Sequence, residues 1–213
     1  MKAPLYRAHP WHGLSAGDGA PELVTCFIEI VPTDTVKYEI DKASGHLKVD
    51  RPQKYSNLCP MPYGFVPQTL CDTLVAERAI EVTGRQGPGE VIRGDQDPLD
   101  ICVLAERPIN HGGILLTARV IGGFCMLDRK DETPEADDKI IAVLKDDAAF
   151  GTIEDIAQAP PALIERLRHY FLTYKEIPES QGPPRCEISR VYDRAHALDV
   201  IRRAQRDYAA RFG

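Results

Sequence analysis

Three aspartates fall within six residues in Asp95-Gln96-Asp97-Pro98-Leu99-Asp100, directly ahead of the apolar run Ile101-Cys102-Val103-Leu104. Carboxylates this close repel one another at neutral pH, and more so where a cleft excludes water, so the cluster calls for a cation among them. An all-oxygen donor set favours a hard ion, Mg²⁺, Mn²⁺ or Ca²⁺, over zinc or copper. A solvated acidic turn is the plain alternative; what weighs against it is the supply of matching residues elsewhere. Where predicted strands meet loops the chain carries the further acids Glu29, Glu39, Asp128 and Asp137, the cations Lys37, Arg51, Lys139 and Lys175, and the phenols Tyr63 and Tyr174. Carboxylates together with several fixed cations are what a phosphate anion escorted by Mg²⁺ requires. Mg²⁺ takes one or two carboxylates and completes its shell with water and phosphate oxygens, while Lys and Arg hold the remaining oxygens. A water acidified by the metal can then act as nucleophile, with a nearby carboxylate taking its proton.

The elements that must position these groups are mostly strands. Pro98 cannot donate to a sheet ladder, so the strand begins near Leu99 and the first two aspartates sit on the loop before it. Leu23 to Ile30 reads as a strand. Thr35 to Asp41 alternates, with Lys37 and Glu39 on one face and Val36, Tyr38 and Ile40 on the other; a surface ion pair would read the same way. Asp41 to Gly45 is turn chemistry, and Leu47 to Arg51 returns as the second strand of a hairpin. Tyr55 to Leu70 holds Pro60, Pro62 and Pro67 beside Tyr63-Gly64 and reads as a rigid loop. Residues 72–93 are expected to form a projecting hairpin around the Gly84–Gly89 stretch. Ile114 to Gly122 and Lys139 to Leu144 are strands, with an acidic loop from Asp128 to Asp138 between them. Two helices follow. Leu163, Leu167, Tyr170 and Tyr174 recur at helical spacing over 161–175, which makes Tyr174 a core residue as readily as a ligand and Lys175 an ordinary C-terminal cation. Asp193 is a candidate N-cap for a terminal helix striped by Leu198, Ile201, Tyr208 and Phe212. Strands followed by helices predict an α+β fold with a mainly β core, or a small closed barrel flanked by helices, in one domain over residues 1–213. The Pro-, Gly- and His-rich residues 1–21 read as an extended arm anchored by Trp11.

Bulk properties narrow the function classes. The chain has 213 residues and a formal net charge of −6, which argues against a nucleic-acid or anionic-membrane partner without excluding a local basic pocket. No apolar run is long enough to cross a membrane, no signal-peptide core is visible, and the six cysteines form no Cys-x-x-Cys pair, so reduced thiols in a cytoplasmic protein are expected. The acid spacing does not fit an EF-hand, and no Gly-x₄-Gly-Lys-Ser/Thr loop is present.

The segment Asp95-Gln96-Asp97-Pro98-Leu99-Asp100-Ile101 resembles the signature of family I soluble inorganic pyrophosphatases. Glu29-Ile30, Lys37-Tyr38-Glu39-Ile40-Asp41, Val49-Asp50-Arg51, Tyr63-Gly64, Asp137-Asp138-Lys139 and Tyr174-Lys175 match in the same order. The resemblance implies a five-stranded, OB-like β-barrel flanked by C-terminal helices that hydrolyses inorganic diphosphate with Mg²⁺, Mn²⁺ being a substitute. It implies metal binding by Asp95, Asp100, Asp128 and Asp137, with Glu29 helping through water. Asp97 matches the acid that deprotonates the attacking water. Lys37, Arg51, Tyr63, Lys139, Tyr174 and Lys175 match the phosphate-handling set, and Glu39 a supporting acid. A cytoplasmic homo-oligomer, hexamer or dimer, is implied as well. Hydrolysis of another phosphoanhydride, polyphosphate or nucleotide, is the alternative; a non-enzymatic cation-binding or OB-type binding protein is a more distant one. Two departures stand out. Gln96 replaces a small residue of the signature, and Cys59 stands where a second phenol is usual. In the acidic loop, counting forward reaches Asp128 and counting back reaches Asp131.

Overall fold

Buried and less buried positions alternate over residues 23–26 and 114–120, whereas 101–104 and 139–143 are buried throughout. The computed structural model describes residues 7–85, 91–129, 133–176 and 183–213. In chain order they form β1 (Leu23–Ile30), β2 (Val36–Ile40), β3 (Leu47–Pro52), β4 (Tyr63–Phe65), α1 (Thr73–Thr83), β5 (Arg93–Gly94), β6 (Asp100–Leu104), β7 (Ile114–Asp128), β8 (Glu135–Ala136), β9 (Lys139–Leu144), α2 (Pro161–Thr173), β10 (Cys186–Asp193) and α3 (Arg194–Phe212).

Five strands close on themselves. β1 pairs antiparallel with β4, β4 with β6, β6 runs parallel to β9, β9 pairs with β7, and β7 returns to β1. Closure gives each of these strands a neighbour on both sides. The small mainly β barrel flanked by helices that the sequence predicts is the architecture observed. β6 and β9 are buried on both faces: Ile101, Val103, Ile140 and Ala142 join one apolar cluster, and Cys102, Leu104, Ile141 and Val143 another. That two-sided burial is why these strands read as unbroken apolar runs.

β7 runs well past the Gly122 at which a sequence reading ends it. Its first half pairs with β1 and its second half, on the same edge, with β10, from Gly122 opposite Asp193 to Asp128 opposite Cys186. The glycines make this possible, since a Cβ on Gly123 would lie 2.4 Å from the Tyr192 ring. The two residues do not end the strand; they let β10 lie against it, and β10 itself carries no sequence signal strong enough to have been predicted.

The expected hairpin over residues 72–93 is not what forms. Thr73–Thr83 is helix α1, and residues 86–90, at the centre of the expected turn, lie outside the described residues. The β-branched Thr73, Val75, Ile80, Val82 and Thr83 suggest strand, but Val75, Ala76 and Ala79 are buried at helical spacing and Gly84, at φ 68°, closes the helix. Its own N-cap residue, Asp72, makes no side-chain cap. The missing acceptor comes from Asp207 of α3, whose carboxylate takes the Leu74 and Val75 N–H groups at 3.1 and 3.2 Å. α3 has the local cap read from sequence, Asp193 accepting the His196 N–H at 3.0 Å. In the arm, residues 10–14 form turns rather than an extended strap. Trp11 anchors it as expected, buried and donating its indole N–H to the Thr69 carbonyl at 2.7 Å.

Candidate active site

The barrel gathers charge at one end because its strand registers do so. Asp100 opens β6 opposite Lys139, which opens the parallel neighbour β9, and Tyr63 opens β4 on the other side of β6. The Tyr63 hydroxyl donates to Asp100 Oδ2 at 2.5 Å, and the Lys139 ammonium donates to that oxygen at 2.5 Å and to Asp137. Lys139 is 1% exposed, so it forms the floor of the site. At the far end of β7, Asp128 accepts from Lys175 Nζ at 2.7 Å and from Arg185 Nε and Nη2 at 2.7 and 3.0 Å; Lys175 also reaches Asp137 at 3.3 Å. Tyr174 ends α2 so that its ring lies under two cations, 5.9 Å from the Arg51 guanidinium carbon and 5.0 Å from Lys175 Nζ.

The β2–β3 hairpin forms the opposite wall. Lys37 Nζ bonds Glu39 and Asp50, each at 3.0 Å, and Arg51 stands in register with Lys37. The pairing of Lys37 with Glu39 on one strand face is as predicted. Glu29 fastens this wall to the barrel, its carboxylate accepting the Ile40 N–H at 2.7 Å. The Asp95–Asp97 loop completes the ring, with the Asp97 N–H donated to Asp95 Oδ1 at 2.9 Å and the Asp97 carboxylate paired with Lys42.

These groups surround one cavity of about 710 Å³. Glu29, Lys37, Glu39, Arg51, Tyr63, Asp95, Asp97, Asp100, Asp128, Asp137, Tyr174 and Lys175 line it, and Lys139 holds two of them from beneath. Asp131, the alternative to Asp128, lies outside the described residues. Sequence reasoning missed Lys42, Asp50, Lys54 and Arg185, which also line the cavity. Asp50 adjoins Arg51 and was legible in principle. Arg185 meets Asp128 across 57 residues of chain, for which no local pattern exists. Cys59 is not a lining residue: fully buried, it donates its thiol to the Met61 carbonyl at 3.2 Å within the cluster that holds Cys102 and Tyr170.

Electrostatics divides the carboxylates into two kinds. Burial, with Asp137, Asp97 and Asp100 nearby, holds Asp95 well above the usual carboxylate range. Burial also raises Asp100 despite Lys139, and pushes Glu29 up to about 8 against the pull of the Ile40 N–H. Asp137 and Asp128 go the other way: burial would raise them, but Lys139 and Lys175 for the first, and Arg185 and Lys175 for the second, outweigh it. At Asp128 and Asp137 protein cations outweigh burial; at Asp95, Asp100 and Glu29 burial prevails, so the charged form of these three is under-compensated. Among the described residues no three ligand-type side chains are already gathered at ion-holding distance; the Lys139 ammonium stands between Asp100 and Asp137. The donor set, oxygen only and under-compensated, fits a hard divalent cation admitted through the cavity. On the other wall, Arg51 lines the cavity, and its Nη1 is buried with no hydrogen-bond partner.

A family model described as inorganic pyrophosphatase matches residues 26–209. Proteins named inorganic pyrophosphatase from Chlamydia trachomatis serovar D and Chlamydia muridarum are 50% and 49% identical over 214 aligned residues, covering 99% of this chain and 99% of each relative. Among solved structures, the inorganic pyrophosphatase of Thermus thermophilus is 28% identical and covers 95% of this chain and 99% of its own, with a TM-score of 0.75. That of Neisseria gonorrhoeae is 25% identical over 92% of this chain and 96% of its own, with a TM-score of 0.72.

Proposed function

Belonging as it does to the inorganic pyrophosphatase family, the chain is an inorganic diphosphatase, and we propose that it hydrolyses diphosphate in this cavity with Mg²⁺ as the working cation and Mn²⁺ as its substitute. The observation that carries the reading is the pairing, around one cavity, of under-compensated carboxylates with a wall of cations that includes an unpartnered guanidinium N–H. Asp95, Asp100, Asp128 and Asp137 would hold Mg²⁺, with Glu29 acting through water. The bound ion supplies charge for the phosphate oxygens and acidity for a water molecule.

The chain's own residues do the rest. Arg51, Lys37 and Lys175 bind non-bridging oxygens of the diphosphate. Tyr63 and Tyr174 offer hydroxyls at the cavity wall. Asp97 takes a proton from the water as its oxygen attacks phosphorus; the bond from that phosphorus to the bridging oxygen breaks, and the second phosphate leaves. Lys139 fixes Asp100 and Asp137 so that neither carboxylate turns toward the substrate, and Glu39 does the same for Lys37. The cytoplasmic homo-oligomer implied by the resemblance belongs to this reading; among the described residues no helix is long and apolar enough to cross a membrane.

The test is phosphate release from diphosphate, tripolyphosphate and ATP, each with Mg²⁺ and with chelator. Release from diphosphate with Mg²⁺, abolished by chelator and much weaker for the other two, is the expected result. Equal rates in chelator, or preference for ATP or tripolyphosphate, would overturn it.

A further inference from the structure

Gln96 stands between the two aspartates of the site loop with φ at 64°, in the left-handed region where an L side chain is strained and glycine is not. A long side chain persists at such a position when its contacts compensate, and here both ends of the amide are used. Nε2 donates to Asp72 Oδ1 at 2.8 Å, and Oε1 accepts from Arg211 Nη1 at 3.2 Å. Arg211 in turn lies 3.8 Å from Asp72 Oδ2. The amide therefore bridges the residue that starts α1 and the last turn of α3. The backbone beneath it is fixed at the same place. The Gln96 N–H donates to the Cys71 carbonyl at 3.0 Å, and the Cys71 N–H donates to the Asp97 carbonyl at 2.8 Å. A Cβ on Gly94 would come within 2.2 Å of that Cys71 carbonyl oxygen, so the loop rests directly on the 71–72 backbone.

We propose that Gln96 is a positioning residue for catalysis, its amide clamped by Asp72 and Arg211 so that the turn at residue 96 aims the carboxylates of Asp95 and Asp97 into the cavity. The proposal rests on the reading of Asp97 as proton acceptor. The turn decides whether the Asp97 N–H meets Asp95 Oδ1, and with it where the Asp97 carboxylate lies relative to the attacking water. Glycine would reach the same φ without strain but would leave the loop free to swing. Misplacement of a reacting group by about 1 Å can cost about 10²-fold in rate. The clamp draws on α1 and the C-terminal turn of α3, elements that contribute no residue to the cavity lining.

The experiment measures kcat, KM and Tm for Gln96→Gly, Arg211→Ala, the double variant and Asp97→Asn. Gln96→Gly is expected to lower kcat about tenfold or more with KM within about twofold of wild type, since it releases the loop without removing a cavity-lining residue. Arg211→Ala should lower kcat in the same manner but less, and the double variant should be no slower than Gln96→Gly, because both changes open one clamp. Wild-type kcat in Gln96→Gly, or losses that multiply in the double variant, would overturn the clamp. Asp97→Asn at wild-type kcat would overturn the proton-acceptor reading and the purpose of the clamp with it. A slow Asp97→Asn beside a fast Gln96→Gly would overturn the clamp alone.

Discussion

At the scale of single residues, Asp97 and Asp100 sit three positions apart and answer to different forces. The Asp97 side chain is 49% exposed and is paired with Lys42, itself 53% exposed. Asp100 is largely enclosed and accepts from both the Tyr63 hydroxyl and the buried Lys139. Asp97→Asn should therefore lower kcat about 10²-fold or more, leaving both the Mg²⁺ concentration for half-activity and Tm nearly unchanged. Asp100→Asn should raise the Mg²⁺ requirement and lower stability by about 1.5–3 kcal/mol, the range for a hydrogen bond to a charged group, since Lys139 keeps only Asp137. Mg²⁺ titrations of activity and thermal melts of the two variants decide the matter; identical profiles would contradict the division. The cysteines follow a simpler rule. All six are buried and unbridged, and Cys59 in particular packs against apolar neighbours. Its place in the sequence suggested the cavity; its fractional exposure of zero places it behind the wall.

Between residues and fold stand elements that are stabilised by one another. α1 lacks a cap of its own, and Asp207 from α3 satisfies three of its leading N–H groups, those of Asp72, Leu74 and Val75. Asp207→Ala should leave those donors unpaired in a buried place, at a cost of about 2 kcal/mol, or roughly 4–8 °C in Tm for a chain of this size. Hydrogen exchange should accelerate first at the start of α1. An unchanged melt would show that water replaces the carboxylate without loss. The β2–β3 hairpin is a second such element, held to the barrel by one buried bond from Glu29 to the Ile40 N–H and by the packing of Ile40 beside Phe27 and Phe65.

Across the whole molecule, the cavity is a junction. The hairpin supplies Lys37, Glu39 and Arg51, the barrel end supplies Tyr63, Asp100 and Asp137, and the segments after α2 and before β10 supply Lys175 and Arg185. A ligand that binds this junction binds only the folded chain. Mg²⁺ should thus raise Tm progressively, by an amount equivalent to about 2.7 kcal/mol at a hundred times its Kd, and Asp95→Ala should weaken that dependence. Thermal melts over a Mg²⁺ series measure it. A Tm indifferent to Mg²⁺ in the wild-type protein would mean that the under-compensated carboxylates do not share an ion.

The sequence by itself determined four of the five barrel strands, the two later helices and much of the charged set, because period-two alternation, prolines, caps and a dense acid motif are local signals that survive without tertiary context. β4, inside a proline-rich stretch that reads as a rigid loop, forms only by pairing with β1 and β6. Lys37 beside Glu39, Asp193 at the start of α3 and Asp100 at the mouth of β6 follow from positions along one segment. What only the tertiary structure decided are the pairings between distant segments. α1 is a helix although its β-branched residues suggest strand, since burial of Val75, Ala76 and Ala79 on one face and a cap borrowed from Asp207 outweigh local propensity. β10 exists because β7 offers it an edge, opened by Gly123. Arg185 reaches Asp128, Lys42 reaches Asp97, and Gln96 is held at a left-handed φ by Asp72 and Arg211. None of these leaves a periodic trace in the sequence, because each is a contact across the folded surface, and its energy exists only once the chain has closed around it.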